Sequence, residues 1–239
     1  MLSIVIPTLN EEKYLVPLLR SIKSEKFSDY EIIVADAGST DRTLEIAKKN
    51  GCITTAGGLP AKGKNQGAGM AKGDILFFLD ADVILPKNFL EKSLAEYKKR
   101  SLKIASFCLL PVKKKKSYRL VFNLFYNFPI VLLEKFLPHA ATGILIEKNL
   151  FKELSGFDET LSLAEDHNLA RRAKKLGNYG ILKSSKIFIS ERRFEKDGWL
   201  KTSLKYLFCE LHMIFIGPLK SDILKYEYGH YSKNKKDDI

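Results

Sequence analysis

The run Ile75-Leu76-Phe77-Phe78-Leu79 holds no polar residue and stops at once on Asp80-Ala81-Asp82. A strand that is apolar on both faces has to be covered on both faces, which is the condition of a mostly parallel sheet with helices above and below it. The residues before it fit that requirement. Short aliphatic runs alternate with helical patterns through the first hundred residues, as in successive βαβ units.

Residues 2–6 read as the first strand. Residues 11–24 then place Leu15, Leu18, Leu19 and Ile22 at spacings of three and four, an amphipathic helix for one sheet face. A second strand is expected over 31–35. A helix through Leu44, Ile46 and Ala47 follows, capped by Ser39 or Thr40 and stopped by Gly51. Residues 52–55 form a weak third strand. The Gly-rich stretch 57–73 holds at most a short helix around Ala68, Met70 and Ala71, and Pro86 opens another helix that ends near Arg100. The second half is less regular. Strands are expected over 103–110 and 143–147, and helices from Glu165 to before Gly177 and over 197–215.

The chain has 239 residues, 45% hydrophobic and 28% charged, enough for one sizeable core and too apolar for a disordered chain. Its net charge of +12 suits phosphate-bearing partners. Cys52, Cys108 and Cys209 form no CxxC pair, so neither a zinc site nor a disulfide framework is expected, and a reducing, cytoplasmic setting fits. The opening apolar run is too short for a signal peptide and has no basic leader.

In an open α/β sheet, ligands bind beyond the carboxyl ends of the strands. The first strand delivers Pro7, Thr8, Asn10 and Glu11 there, the second Asp36, and the apolar strand Asp80 and Asp82. Two carboxylates two residues apart share a face and can address one hard cation, Mg2+ or Mn2+, of the kind held by one or two carboxylates plus substrate phosphates. Taken alone, the pair also fits a polar strand exit. Lys64, within Lys62-Gly63-Lys64-Asn65-Gln66-Gly67, could neutralise a diphosphate, although the run lacks the order of a P-loop.

Together these residues resemble the family 2 glycosyltransferases of GT-A fold. The resemblance is carried by residues 3–12, by Asp36-Ala37-Gly38-Ser39-Thr40-Asp41-Arg42-Thr43, by residues 64–68, by the DxD-type Asp80-Ala81-Asp82, by Gly156-Phe157-Asp158-Glu159 and by Glu165-Asp166. It implies a Rossmann-like central sheet, a nucleotide-sugar donor, a divalent metal and an inverting transfer. Pro7, Thr8, Asn10, Glu11 and Asp36 would line the nucleotide pocket, Asp80 would lie near ribose and metal, and Asp82 would bind the metal. Asp166 matches the family's general base. It precedes Leu169 and Ala173 by three and seven residues, on the face these share with Leu176, and so points inward. Glu165, Arg192 and Arg193 are candidates for phosphate or acceptor contact. The family commonly has a second Asp where Ala37 stands, so UDP and GDP donors both remain open.

The aromatic-rich segment 118–137 follows the lysine run 113–116, and charged residues interrupt both it and residues 199–215, too often for an easy membrane span. Either these segments are ordinary core or they rest on an anionic leaflet at the cytoplasmic membrane face, which would suit a lipid-linked acceptor such as a polyprenyl phosphate. Residues 1–195 are expected to form the GT-A domain, with a nucleotide-binding half (1–100) and an acceptor half (101–195). Residues 196–239 would add an amphipathic helix and basic tail to the same domain. Two rivals are a nucleotidyltransferase, disfavoured because the loop after the first strand is not Gly-rich and basic, and a non-enzymatic nucleic-acid binder, for which no groove-reading motif is present.

Overall fold

The computed structural model describes residues 1–112, 119–120, 122–161 and 163–192, and the single positions 196, 198, 205, 208, 212 and 217. The lysine run 113–116, Arg193 and nearly all of the helix expected over 197–215 lie outside the described residues.

The elements run β1 (Leu2–Thr8), α1 (Glu12–Lys23), β2 (Tyr30–Asp36), α2 (Thr43–Lys49), β3 (Ile53–Ala56), α3 (Pro60–Met70), β4 (Ile75–Leu79), β5 (Val83–Ile84) and α4 (Phe89–Lys99). After β6 (Ile104–Pro111), a π-helical turn (Asn123–Asn127) leads into α5 (Phe128–Leu132), then β7 (Gly143–Glu147), α6 (Lys148–Glu153), α7 (Glu165–Lys174) and β8 (Tyr179–Ile189). All eight strands join one sheet in the order β3-β2-β1-β4-β7-β6-β8-β5. The half from β3 to β4 is parallel, as the apolar runs require; β7 enters antiparallel between β4 and β6, and β8 lies parallel to β6.

Alternation along β4 divides the core. Phe77 joins Phe89 and Phe107 on the face covered by α1 and α4, with ring centroids 5.9 and 5.4 Å from its own. Leu76 and Phe78 join Phe151, Phe157, Leu169 and Ala173 on the face covered by α3, α6 and α7. Burying each such side chain contributes about 1.5–3 kcal/mol.

Where a short helix was expected in the Gly-rich stretch, α3 runs eleven residues. Pro60 at its first turn supplies a preset φ, and its glycines serve contact. A Cβ on Gly67 would lie 2.4 Å from Val5 Cγ1, and one on Gly63 would lie 3.3 Å from Pro7 Cβ. The helix therefore sits against β1 at a distance that larger residues forbid. Ser39 and Thr40 do not cap α2, which begins at Thr43; its first amide is taken by the Asp41 carboxylate (2.9 Å). Gly51, at φ +73°, ends that helix in the left-handed region as expected.

The Thr8 carbonyl accepts from the Ala37 amide, so Thr8 faces β2 and the nitrogen of Pro7 faces β4, whose pairing with β1 stops at Val5. Proline costs no ladder bond there, and the sheet opens between β1 and β4. This is the crevice where a doubly wound sheet takes its ligand.

The segment after β6 is anchored to that strand by the side-chain amide of Asn127. Asn127, buried, accepts from the Leu109 N–H (2.9 Å) and donates to the Leu109 carbonyl (2.8 Å). Around that anchor Leu120, Leu124, Phe125, Phe128, Leu132, Leu133 and Phe136 are exposed, Phe125 to 74% and Phe136 to 84%. No helix among the described residues is long and apolar enough to cross a membrane.

Candidate active site

Loops after β1 and β2 are laced together at the mouth of the crevice. Asn10, at φ +55°, donates its amide to Ser39 Oγ (2.8 Å) and accepts from the Thr40 amide (2.8 Å). Glu11 and Glu12 donate their amides to Thr43 Oγ1 (2.8 Å) and Asp41 Oδ2 (3.0 Å). Asp36, buried at the end of β2, accepts from Thr8 Oγ1 (2.9 Å), Ser39 Oγ (2.5 Å), the Ser39 amide (2.8 Å) and the Gly38 amide (3.1 Å). A carboxylate offers about four acceptor positions. Those of Asp36 are met by the protein, so Asp36 fixes the loop that carries Gly38 and Ser39 at the end of β2.

A second group gathers beneath, from elements far apart in the chain. Lys64 on α3 is only 2% exposed, and its ammonium lies 2.9 Å from Glu165 and 2.6 Å from Asp166, the first two residues of α7. The Phe157 ring lies 5.2 Å away. Asp80, whose amide donates to the Thr142 carbonyl (3.1 Å), shares this field. Burial pushes its carboxyl up to about 7; Lys64 opposes the rise, and the negative charges of Asp166, Asp82 and Glu165 add to it. Asp166 is also raised, first by burial and then by Glu165, against the pull of Lys64. Glu165 goes the other way. Burial lifts it, but Lys64 and the amides at the start of α7 bring it below its ordinary value.

Arg192, just past β8, closes the third side. Its guanidinium forks onto Glu11 (2.8 and 2.7 Å), reaches Asp82 through Nε (3.0 Å) and lies 4.4 Å over the Tyr14 ring. Burial lowers its pKa, but Glu11 and Asp82 more than reverse that and hold the charge firmly.

The structure thus brings together Thr8, Asn10, Glu11, Asp36, Lys64, Asp80, Asp82, Glu165, Asp166 and Arg192 around one crevice, with Pro7 in its wall. Lys64 faces the α7 carboxylates rather than an open phosphate position, and Glu165 faces Lys64. Asp166 is inward as expected, with Leu169 and Ala173; Leu176 is 54% exposed because α7 stops at Lys174. Sequence reasoning missed Tyr14 and a chain beside Asp166 in which His167 Nε2 meets His139 Nδ1 (2.9 Å) and His139 Nε2 meets the Tyr126 hydroxyl (2.8 Å). The position of His167 directly after the Glu165-Asp166 pair was the available signal.

Among the described residues, the carboxylates of Glu11, Asp80, Asp82, Glu165 and Asp166 share this site with Lys64 and Arg192. No cluster of three or more potential ligands is arranged among the described residues to hold a metal alone. The hard oxygens of Asp80 and Asp82 fit the other mode, in which Mg2+ or Mn2+ is shared between one or two carboxylates and a substrate's phosphates.

A sheet whose parallel half carries this polar crevice, with an acidic α7 entering from the other half, defines a GT-A fold. Solved structures agree. The crystal structure of TarS residues 1–349 from Staphylococcus aureus superposes with a TM-score of 0.65 at 22% identity, covering 90% of this chain and 72% of that one. The mannosyltransferase PcManGT from Pyrobaculum calidifontis, solved with GDP-Man and Mn2+, gives 0.65 at 18% identity, covering 87% and 64%. The model for glycosyl transferase family 2 matches residues 3–139, and the chain belongs to that family. Among curated relatives, the poly(ribitol-phosphate) beta-N-acetylglucosaminyltransferase TarS of S. aureus (strain Mu50) is 33% identical over 103 residues, 39% of this chain and 18% of that protein. A dolichyl N-acetyl-alpha-D-glucosaminyl phosphate 3-beta-D-2,3-diacetamido-2,3-dideoxy-beta-D-glucuronosyltransferase of Methanococcus voltae is 32% identical over 109 residues, 41% of this chain and 34% of that protein. The matched segments span only these fractions of the relatives' own lengths.

Proposed function

We propose that this chain transfers a sugar, with inversion, from a nucleoside-diphosphate donor to an acceptor hydroxyl or phosphate, and that residues 1–195 form the catalytic unit with 196–239 as its continuation. The observation that carries the reading is the meeting of Asp166 with Lys64 and Asp80 in one buried cluster at the open end of β1 and β4. With a hydroxyl acceptor, Asp166 takes its proton as the acceptor oxygen bonds to the anomeric carbon and the bond from that carbon to the diphosphate breaks, its electron pair leaving on the diphosphate. The raised pKa of Asp166 suits a base, and Lys64 orients it and steadies its ionised form. Asp80 and Asp82 would hold Mg2+ or Mn2+, which supplies positive charge to the departing diphosphate. Thr8, Asn10 and Glu11 would wall the nucleotide, and Asp36 keeps that wall in shape. Arg193 joins Arg192 as a candidate phosphate contact.

The donor is UDP- or GDP-linked. TarS has been solved with UDP-GlcNAc and PcManGT with GDP-Man, and Ala37 removes a side chain that would help choose. Thermal shift with UDP, GDP and CDP, each with and without Mn2+, tests the reading. One nucleoside diphosphate should stabilise the wild type only with metal, and Asp82→Ala should abolish that effect. Stabilisation by DNA alone would overturn it.

The acceptor we favour is lipid-linked, presented at the cytoplasmic membrane face to the exposed apolar segment around 120–136. Exposed apolar side chains in this number, following a lysine run in the sequence, suit an anionic interface. The dolichyl-phosphate-linked substrate in the name of the M. voltae relative supports the same class. Flotation with anionic liposomes at low salt checks it, and failure to float removes the membrane contact.

A further inference from the structure

Arg192 pairs with Asp82, one of the two carboxylates that would hold a metal. It bridges the two walls of the crevice, touching Glu11 from the loop after β1 and Asp82 from the loop after β4. The bridge is built. The Ser190 amide donates to the Asp82 carbonyl (3.1 Å), tying the end of β8 to the backbone of the carboxylate that its arginine neutralises. Tyr14 supports the guanidinium plane from α1, and both ends of the Glu11 fork are within 2.8 Å. The side chains of Arg192, Glu11 and Asp82 are 17%, 11% and 22% exposed, so this is a largely desolvated ion cluster.

We propose that Arg192 is the resident counter-ion of the donor pocket: it holds Asp82 in the donor-free protein, resists a metal arriving alone, and passes to the diphosphate when metal and nucleotide enter together. The inference rests on the metal-dependent reading above. A guanidinium and a divalent cation compete for the same Asp82 oxygens, and a lone metal gains Asp82 only by breaking its contact with Arg192 Nε and setting a second cation beside a guanidinium that stays forked on Glu11. A diphosphate changes that balance, because its oxygens take up the Arg192 edge released from Asp82 and separate the two cations. Metal and nucleotide are then thermodynamically coupled through an arginine side chain, in addition to any direct metal–phosphate bond.

The test is Mn2+ binding, read from the electron paramagnetic resonance signal of free Mn2+, for wild type and Arg192→Gln, each alone and with saturating UDP or GDP. Coupling of this kind is typically about 5–150-fold. Arg192→Gln should bind Mn2+ alone on the order of tenfold more tightly than wild type, and its enhancement by nucleotide should shrink by a similar factor. Arg192→Lys, which keeps the charge but cannot fork, serves as a second variant if the glutamine form fails to fold, and should shift both quantities in the same direction by less. Uridine or guanosine, lacking phosphates, should produce no enhancement in either protein. Equal Mn2+ affinity and equal nucleotide enhancement in wild type and variants would overturn the role of Arg192 while leaving the transferase reading in place. Absence of Mn2+ binding in every arm would overturn both.

Discussion

Replacing Lys64 by methionine isolates the charge at the centre of the site. Methionine keeps most of the length and apolar stem of lysine and removes the ammonium. In the wild type that ammonium lies 2.9 Å from Glu165 and 2.6 Å from Asp166, with all three side chains buried. Breaking a buried pair by removing one partner costs about 3–5 kcal/mol, whereas a volume-conserving swap in a core costs less than about 1.5 kcal/mol. If charge dominates, the melting temperature of a chain this size should drop by roughly 6–20 °C, taking about 2–4 °C per kcal/mol. The pH dependence separates the explanations. Unpaired, Glu165 and Asp166 would have folded-state pKa values above those in the unfolded chain, so the variant should regain stability as pH falls from about 8 to about 5. Urea denaturation of both proteins across that range measures it. A loss under about 1 kcal/mol, or one of the same size at both ends of the range, would refute the assignment of Lys64 as counter-ion to the α7 carboxylates.

Three further outcomes follow from the geometry. Asp166→Asn should keep nucleotide binding and lose about 10²–10⁴-fold in initial rate with a hydroxyl acceptor at saturating donor, and an unchanged rate would remove it as base. In chelator, the wild type should be most stable below the ordinary carboxyl value of 3.8 as far as Asp80 is concerned, and should lose that contribution as pH rises through about 7, because the folded state holds the Asp80 proton more tightly; a flat denaturation midpoint over that range would contradict it. Gly67→Ala should cost roughly 1–3 kcal/mol in chemical denaturation, since its Cβ would lie 2.4 Å from Val5 Cγ1, and a neutral result would mean that α3 is not seated against β1 as described.

The parallel half of the sheet was legible because Ile75–Leu79 is an unbroken apolar run, and Leu2–Thr8 and Tyr30–Asp36 carry shorter ones at Ile4–Ile6 and Ile32–Ala35. The full length of α3 was not. Glycine is a poor helix former, and only the approach to Val5 and Pro7 explains why it is needed there. Strand β8 was hidden by Lys183-Ser184-Ser185-Lys186. The pairing with β6 jumps from Leu182 opposite Phe107 to Lys186 opposite Cys108, and the amides of the looped-out Lys183 and Ser184 are taken by Glu96. In the site, the carboxylates were legible as motif residues at strand ends and a helix start. The pairing of Lys64 with Asp166 spans 102 positions and that of Arg192 with Glu11 spans 181. No local pattern records either, because each is created by the sheet order and by which strand end faces which helix.

The close seating of α3 also says how this pocket can change. A lysine carried on a helix that touches its strand through glycines has no slack for sliding or tilting, so the position of its ammonium is set by the scaffold itself. Variation in donor or acceptor preference must then come from the rim: from the loops tied by Asn10 and Asp36, and from Arg192 just past β8. A chain redesigned for another sugar could exchange those pieces and leave the floor beneath them untouched.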